Sequence, residues 1–354
     1  MGKDHRQGEL TVLVTGAGAP PGVTIFKAFR QSTLRPRIVA TDADPLSVGL
    51  FRADAAYVLP RVVEDEALYL RRLGEICLEE RVAAVCFGSE IEMRRMAPHI
   101  EEFERTTGAR LILNEPRLLD AFMDKWKMVQ NLRERGLPVP DSAPVADEAS
   151  VRAFVAHHAF PVIIKPRQSS GSKNVFVLRS EDELEFFCRY VPDAVLQEYL
   201  LPDDEEYTVG IYKSPRTGYL GQITLKRTLA AGLTYKAEVV FDEEIEDVCR
   251  RLVDSFDVWG PVNVQLRRTA AGVRIFEINP RFSSTTVMRA YFGFNEAELC
   301  VRDVVLGEAI PRPNIRPGFC LRYWDEVYLA PEEYSRLRER GSLPEPHGEK
   351  LDDF

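Results

Sequence analysis

No apolar run in this 354-residue chain approaches the roughly 18 residues needed to cross a bilayer, so nothing in it predicts a membrane span. The opening MGKDHRQGEL lacks the apolar core of a secretory signal, and Arg6 stands where a myristoylation signal wants Ser or Thr, which makes the cytoplasm the expected compartment. Cysteine is sparse: Cys77, Cys86, Cys188, Cys249, Cys300 and Cys320 form no close pair. That spacing argues against a zinc knuckle, a redox dithiol or a disulfide framework, and the thiols read as small buried hydrophobes. Basic excess is missing too, because the net charge is −9, and this disfavours a nucleic-acid surface while leaving room for the few local cations a nucleotide needs. Internal repeats and low-complexity tracts are absent. What remains, with 45% hydrophobic and 29% charged residues, reads as a soluble globular protein of two or three packed units.

The first third alternates strand-like and helical runs. TVLVTG (11–16), RIVATD (37–42), AAYVLP (55–60), VAAVCFG (82–88) and LILN (111–114) alternate with helical stretches near 22–31, 64–79 and 90–105, which predicts a parallel sheet. A helix over 124–136 then stops at Gly136, where Pro138 and Pro140 forbid continuation and suggest a hinge. From about residue 160 the β-rich segments crowd together, as antiparallel sheets with a few helices would require, and the Pro-rich, charged last forty or so residues are expected to wrap the surface.

TGAGAPPGV after the first strand invites a dinucleotide reading, since glycines at such a turn let phosphates approach backbone N–H groups. The fit is poor. Gly16, Gly18 and Gly22 are spaced one residue too widely, and Pro20 and Pro21 lack the donors the loop would supply. A packing turn, or one lining a substrate cleft, is the preferred reading, and a nicotinamide-dependent oxidoreductase remains a minor alternative resting on this loop alone.

Three separated segments carry more specific chemistry. VIIKPRQSSGSKN ends a strand at Lys165 and continues into a small, polar loop, Ser169, Ser170, Gly171 and Ser172, whose backbone donors could close over phosphate oxygens while Lys165 offers a charge; a lysine beside an ordinary hairpin is the alternative. In AVLQEYLLPDDEEYTVGI, Gln197, Glu198, Tyr199 and Leu200 could supply a backbone edge to adenine and Glu206 an acceptor for ribose, against an ordinary strand and acidic loop. PVNVQLRRTAAGVRIFEINPR is a hairpin. With a three-residue loop closing Thr269 onto Val273, Gln265 falls opposite Glu277 and Asn263 opposite Asn279, all on one face. Hard oxygen donors clustered there suit magnesium, which completes its shell with water and phosphate; a solvated polar face competes.

Asp124–Lys125, IIKP with its Ser/Gly loop, QEYL with EEYTV, NVQ and EINPR, in that order, resemble the ATP-grasp superfamily over roughly residues 10–310, and are most similar to the carbamoyl-phosphate synthase large-subunit synthetase domain and biotin carboxylase. The resemblance implies an α/β and α+β architecture: a Rossmann-like parallel-sheet domain (1–118), two α+β ATP-grasp subdomains (119–202 and 203–310) and a carboxy-terminal extension (311–354). It also implies ATP and magnesium, with two ions and manganese an acceptable substitute. Lys125 and Lys165 would contact the phosphates, the 169–172 loop would be their lid, Glu198 to Leu200 would meet adenine and Glu206 the ribose. Gln265, Glu277 and Asn279 would bind metal, Arg281 would stabilise the acyl or leaving phosphate, and Lys226 is a further candidate for the transferred group. The implied reaction is ADP-forming ligation of a carboxylate to an amine. Its partners are small-molecule substrates, with a homodimer left open and neither nucleic acid nor membrane expected. Two departures stand out: the lid, SSGSKN, has less glycine than relatives carry, and the histidine of the synthase is missing around Lys226. One synthetase half argues against carbamoyl phosphate as product, and a non-catalytic or regulatory ATP-binding protein is the other alternative.

Overall fold

The computed structural model describes residues 10–169, 171, 173–191 and 193–350. Its first layer runs β1 (Thr11–Thr15), α1 (Pro20–Arg30), β2 (Arg37–Asp42), β3 (Ala55–Val58), α2 (Glu66–Glu79), β4 (Ala84–Phe87), α3 (Glu90–Met96), α4 (Ile100–Thr107) and β5 (Arg110–Ile112). These five strands pair in parallel in the order β3-β2-β1-β4-β5. Both faces are covered, as a parallel sheet requires: Leu13, Val39, Val85 and Leu111 pack toward α2 and α4, while Val12, Val14, Ile38 and Cys86 join the core that includes α1. The single helix expected over 90–105 is interrupted by a 3-10 turn at Ala97–His99, because Pro98 removes a donor from the ladder. Pro20 and Pro21, which spoil a phosphate loop, instead open α1, where the missing N–H groups would have had no partner.

After α5 (Pro116–Met123) and α6 (Lys125–Glu134), the chain builds a four-stranded antiparallel sheet, ordered β6-β9-β7-β8, from β6 (Ser142–Pro144), β7 (Val162–Pro166), β8 (Phe176–Leu178) and β9 (Ala194–Glu198), with α7 (Glu148–His157) and α8 (Glu181–Tyr190) between them. A larger antiparallel sheet follows: β10 (Glu206–Ser214), β11 (Gly218–Ala230), β12 (Leu233–Val240), α9 (Glu243–Asp254), β13 (Gly260–Thr269) and β14 (Gly272–Asn279). Short helices α10 (Thr286–Tyr291) and α11 (Glu296–Cys300) precede β15 (Phe319–Leu321), α12 (Pro331–Arg340) and β16 (Ser342–Leu343). The last segment does more than wrap the surface. β15 extends the large sheet, ordered β14-β13-β10-β11-β12-β15, and β16 adds an antiparallel edge to β3 of the first sheet.

Alternation divides the large sheet by function. Tyr207, Val209, Ile211, Val262, Val264 and Leu266 face the core shared with α6 and α9. On the opposite face, Tyr212, Ile223 and Leu225 pack with α1, α10 and α11 at one end, whereas Glu206, Arg227, Gln265, Arg267 and Glu277 line a cleft at the other.

The β13–β14 register agrees with the pairing of Gln265 with Glu277 and Asn263 with Asn279, but for a different reason. The turn closes on two residues, Thr269 pairing with Gly272, and a bulge between Leu266–Ile275 and Gln265–Glu277 then adds the residue the turn omitted. The extra residue, Phe276, therefore lines the cleft beside its neighbour Glu277, which strict alternation forbids.

Beneath the cleft, Arg289 of α10 and Glu296 of α11 form a fully buried ion pair, Nη1 to Oε1 at 2.9 Å. The guanidinium also donates to Thr208 Oγ1 at 3.2 Å and to the Asn263 amide oxygen. Asn263 is thus committed to packing. Gly210 leaves the space, since a Cβ there would lie 2.4 Å from Arg289 Nη1. Removing one partner strands the other charge in the core, so Arg289→Met should destabilise the fold by about 3–5 kcal/mol, and the double replacement Arg289→Met with Glu296→Leu should recover most of that loss in denaturant unfolding. Equal stability of the single and double variants would show the charges to be uncoupled.

Candidate functional site

Asp124 caps α6 by accepting the backbone N–H groups of Trp126 and Lys127, and Arg167 grips the same carboxylate from the end of β7, with Nη2 to Oδ2 at 2.7 Å and Nε to Oδ1 at 3.1 Å. Although burial raises the Asp124 pKa, the Arg167 bond and the two backbone donors outweigh it and hold the carboxyl below its ordinary range. This clasp places Lys125, whose N–H donates to the Arg167 carbonyl at 2.9 Å, beside Lys165 two residues before Arg167. Both lysines are buried on the wall of a cleft of about 250 Å³. Lys125 Nζ donates to the carbonyl and hydroxyl of Ser169, each at 3.1 Å, and so holds the start of the expected lid. Gly171 lines the same cleft, while Ser170 and Ser172 lie outside the described residues.

Across the cleft lies the β9 edge. Gln197 is buried and its amide donates to Ser142 Oγ at 2.8 Å; Glu198 accepts the Asp141 N–H at 2.9 Å; Tyr199 donates to Asp203 at 2.7 Å; and the Leu200 carbonyl accepts Arg267 Nη1 at 2.7 Å. All four line the cleft, as does Glu206. Its two carboxylate oxygens are shared out, Oε1 to Arg227 at 2.7 Å and Oε2 to Arg267 at 2.5 Å.

Arg227 and Arg267 went unnoticed in the sequence. The signal was there: on β11 the residue that shares a face with Glu206 and Gln265 is Arg227, and alternation turns Lys226 away with Tyr207. Lys226 is paired instead with Glu205 and does not line this cleft.

Glu277 lines the same cleft. Burial pushes its carboxyl pKa up, but Lys125, the Asn279 amide, Lys165 and Arg227 outweigh that and hold it below the ordinary carboxylate value. Asn279 Nδ2 donates to Glu277 Oε1 at 2.8 Å, and Gln265 Nε2 approaches the same oxygen at 3.3 Å. Beyond them, Arg281 donates to the Asn279 amide oxygen at 3.2 Å and to Glu90 of α3, with Nε to Oε1 at 3.0 Å. The mouth of the first sheet therefore meets the far end of the cleft at this arginine. The loop following β1 is a packing turn there: a Cβ on Gly22 would lie 2.1 Å from the Gly16 carbonyl, and Asp42 accepts the Gly18 N–H at 2.8 Å.

One carboxylate flanked by two amides is a sparse ligand set, and no cluster of three His, Cys, Asp or Glu side chains suited to a metal occurs among the described residues. The set fits magnesium only with oxygen supplied by a ligand such as a phosphate chain, the amides turning their oxygens toward the ion.

These features define the class. Residues 122–285 belong to the ATP-grasp domain family, and residues 12–111 match the PylC-like N-terminal domain. The chain is 26% identical over 290 residues to the carbamoyl phosphate synthase large chain of Rubrobacter xylanophilus, covering 73% of this chain and 26% of that one. It thus spans about a quarter of that relative's length. Among solved structures, the N5-carboxyaminoimidazole synthetase of Staphylococcus aureus complexed with ADP superimposes with a TM-score of 0.71 at 14% identity, over 89% of this chain and 82% of that one. The biotin carboxylase domain dimer of Hydrogenobacter thermophilus 2-oxoglutarate carboxylase, solved with MgADP, ADP and bicarbonate, does so with a TM-score of 0.66 at 16% identity, over 87% and 73%. No helix among the described residues is long and apolar enough to cross a membrane.

Lys165 supplies a pH signature. Burial, then the nearby Lys125, lower its pKa to about 7, against partial restoration by Glu277 and Glu206. With no phosphate beside it, the ammonium is lost as pH rises through about 7. Bound phosphates favour the charged form, so nucleotide binding at pH 8 should take up as much as one proton, and affinity should fall with rising pH by up to about tenfold per unit. Calorimetry in buffers of different ionisation enthalpy measures the uptake, and Lys165→Met should abolish it. In the same titrations Arg227→Met should weaken ATP binding about tenfold or more, while Lys226→Met should change it less than threefold; the opposite ranking would return Lys226 to the site.

Proposed function

We propose that this protein is an ATP-dependent, ADP-forming ligase that activates a small carboxylate as an acyl phosphate for attack by an amine or similar nucleophile. The observation that carries this reading is the convergence of Lys125, Lys165 and Arg227 on the Glu277 carboxylate in a cleft that is also lined by the β9 edge and Glu206. Adenine would meet Glu198 to Leu200, with Gln197 behind, and the ribose would meet Glu206. Lys125 and Lys165 would bind the phosphates, with the 169–172 segment as their lid. In this reading the chain divides into units at 1–118, 119–202 and 203–310 and a carboxy-terminal extension at 311–354.

A carboxylate resists attack because oxide would have to leave. Phosphoryl transfer to it replaces oxide by phosphate, and the protein's share of that step is positioning and charge neutralisation. Gln265, Glu277 and Asn279 would hold magnesium, which when bound neutralises the phosphate oxygens; two ions, with manganese a substitute, suit the reading. Arg281, already gripping one carboxylate through Glu90, is suited to the acid being activated or to the phosphate leaving it. No Ser or Cys nucleophile is required.

The test is isotopic. With the cognate acid, found by screening carboxylic and amino acids for ADP release, and hydroxylamine as nucleophile, a hydroxamate should accumulate and oxygen-18 from the acid should enter phosphate. AMP formation, or label that never reaches phosphate, would sink the acyl-phosphate route. Phosphate released without any acid would favour a binding protein with idle hydrolysis.

A further inference from the structure

β15 is the outer strand of the large sheet, and its ladder with β12 fixes which groups it turns outward. The Val239 N–H donates to the Gly318 carbonyl at 2.9 Å, and the Arg322 N–H to the Tyr235 carbonyl at 2.8 Å. Residues 318 and 322 thus face β12 with their backbone groups. Sides alternate along an antiparallel strand, so Cys320 faces β12 as well, opposite Ala237, and the N–H and C=O of Phe319 and Leu321 point away. No strand among the described residues takes them up.

The side chains are as open as the backbone. Rows across the sheet put Phe319 beside Glu238 and Lys226, and Leu321 beside Lys236 and Thr228, on the face that α6 and α9 cover over β10 and β13. That cover is missing here, since Phe319 is 72% exposed and Leu321 70%, and Trp324 just beyond is 82% exposed. A groove of about 570 Å³, lined by Lys226, Lys236, Glu238, Phe319 and Leu321, runs alongside. Scattered apolar exposure is ordinary, but here it coincides with an unpaired backbone edge. Proteins guard such an edge with lysine, proline or an inward-pointing charge, and Phe319, Cys320 and Leu321 supply none of these.

We propose that this edge is a self-association surface, on which a second copy of this chain pairs antiparallel about a two-fold axis beside Cys320. The strand is its own complement. Phe319 of each copy falls opposite Leu321 of the partner subunit, and each such pair exchanges two backbone hydrogen bonds, which satisfies all the outward groups of both strands. Each apolar pair is flanked by Glu238 of one copy and Lys236 of the other, so like charges do not meet across the axis. A uniformly basic or acidic partner would match only half of that arrangement. Phe319, Leu321, Tyr323 and Trp324 of two copies together expose on the order of 1,000 Å², the scale at which specific interfaces begin. The two large sheets become one continuous sheet, whether or not the chain is a ligase. At the axis the two Cys320 residues form a non-hydrogen-bonded pair with Cα atoms about 4.5 Å apart, within reach of a disulfide.

Sedimentation equilibrium of the full chain is the measurement, and the wild type should be dimeric at tens of micromolar. Leu321→Lys installs the guard this edge lacks, and Phe319→Pro removes an outward N–H while leaving the β12 ladder whole; each should raise the dimer Kd about tenfold or more. Phe186→Lys, at an exposed aromatic on α8, should leave it within about twofold. Diamide, which takes up two protons and two electrons, should join two chains through Cys320, and Cys320→Ser should abolish the link. A wild type that stays monomeric, a dimer insensitive to both edge variants, or one lost in Phe186→Lys overturns the proposal. If thermal melting shows both edge variants unfolded, the crosslink decides: a link through Cys320 supports the edge, and a link through another cysteine, or none, overturns it.

Discussion

The cleft depends on keeping Glu277 ionised where burial opposes it. An isolated carboxylate in such a place would take up a proton, and only cations brought from elsewhere in the chain prevent this. Lys125 comes from the start of α6, Lys165 from the end of β7 and Arg227 from β11, so the charge balance of one residue ties two sheets and a helix together. The Asp124–Arg167 clasp is what keeps Lys125 at its station. Glu206 performs the same service for Arg227 and Arg267 at the other end. Each carboxylate also restrains cations that would otherwise repel one another along the cleft wall.

The periphery converges on the same place. The switch in strand order around β1 puts the β1–α1 and β4–α3 turns side by side, and Glu90 reaches from there to Arg281. The glycines of the first turn allow close packing, since a Cβ on Gly22 would lie 2.1 Å from the Gly16 carbonyl. β15 and β16, from the far end of the sequence, bind the edges of two different sheets and carry Arg322 toward the loop after Arg281.

Some of this was legible from residues alone. The parallel sheet followed from βα alternation, and the pairing of Gln265 with Glu277 followed from counting back from a turn, although a shorter turn and a later bulge compensated to give it. Lys226 drew notice and Arg227 did not because no register was at hand: either could reach the cleft until Glu206 and Gln265 fixed which face of β11 looks inward. Pro20 and Pro21 were read as defects of a loop because their place at the first turn of α1 depends on where that helix begins.

The sequence by itself determined the local vocabulary: which stretches alternate at period two, where prolines stop or start helices, and an ordered set of segments carrying Lys125, Lys165, Glu206, Glu277 and Arg281. Those are properties of a few consecutive residues and of backbone sterics, and they survive without knowledge of neighbours. Only the tertiary structure decided that Phe276 and Glu277 both face the cleft, that Asn263 accepts from the buried Arg289, and that Thr24 meets Ser283. Each depends on a bulge, a buried charge or a contact between residues hundreds apart, where the energy resides in burial and pairing that no local pattern encodes.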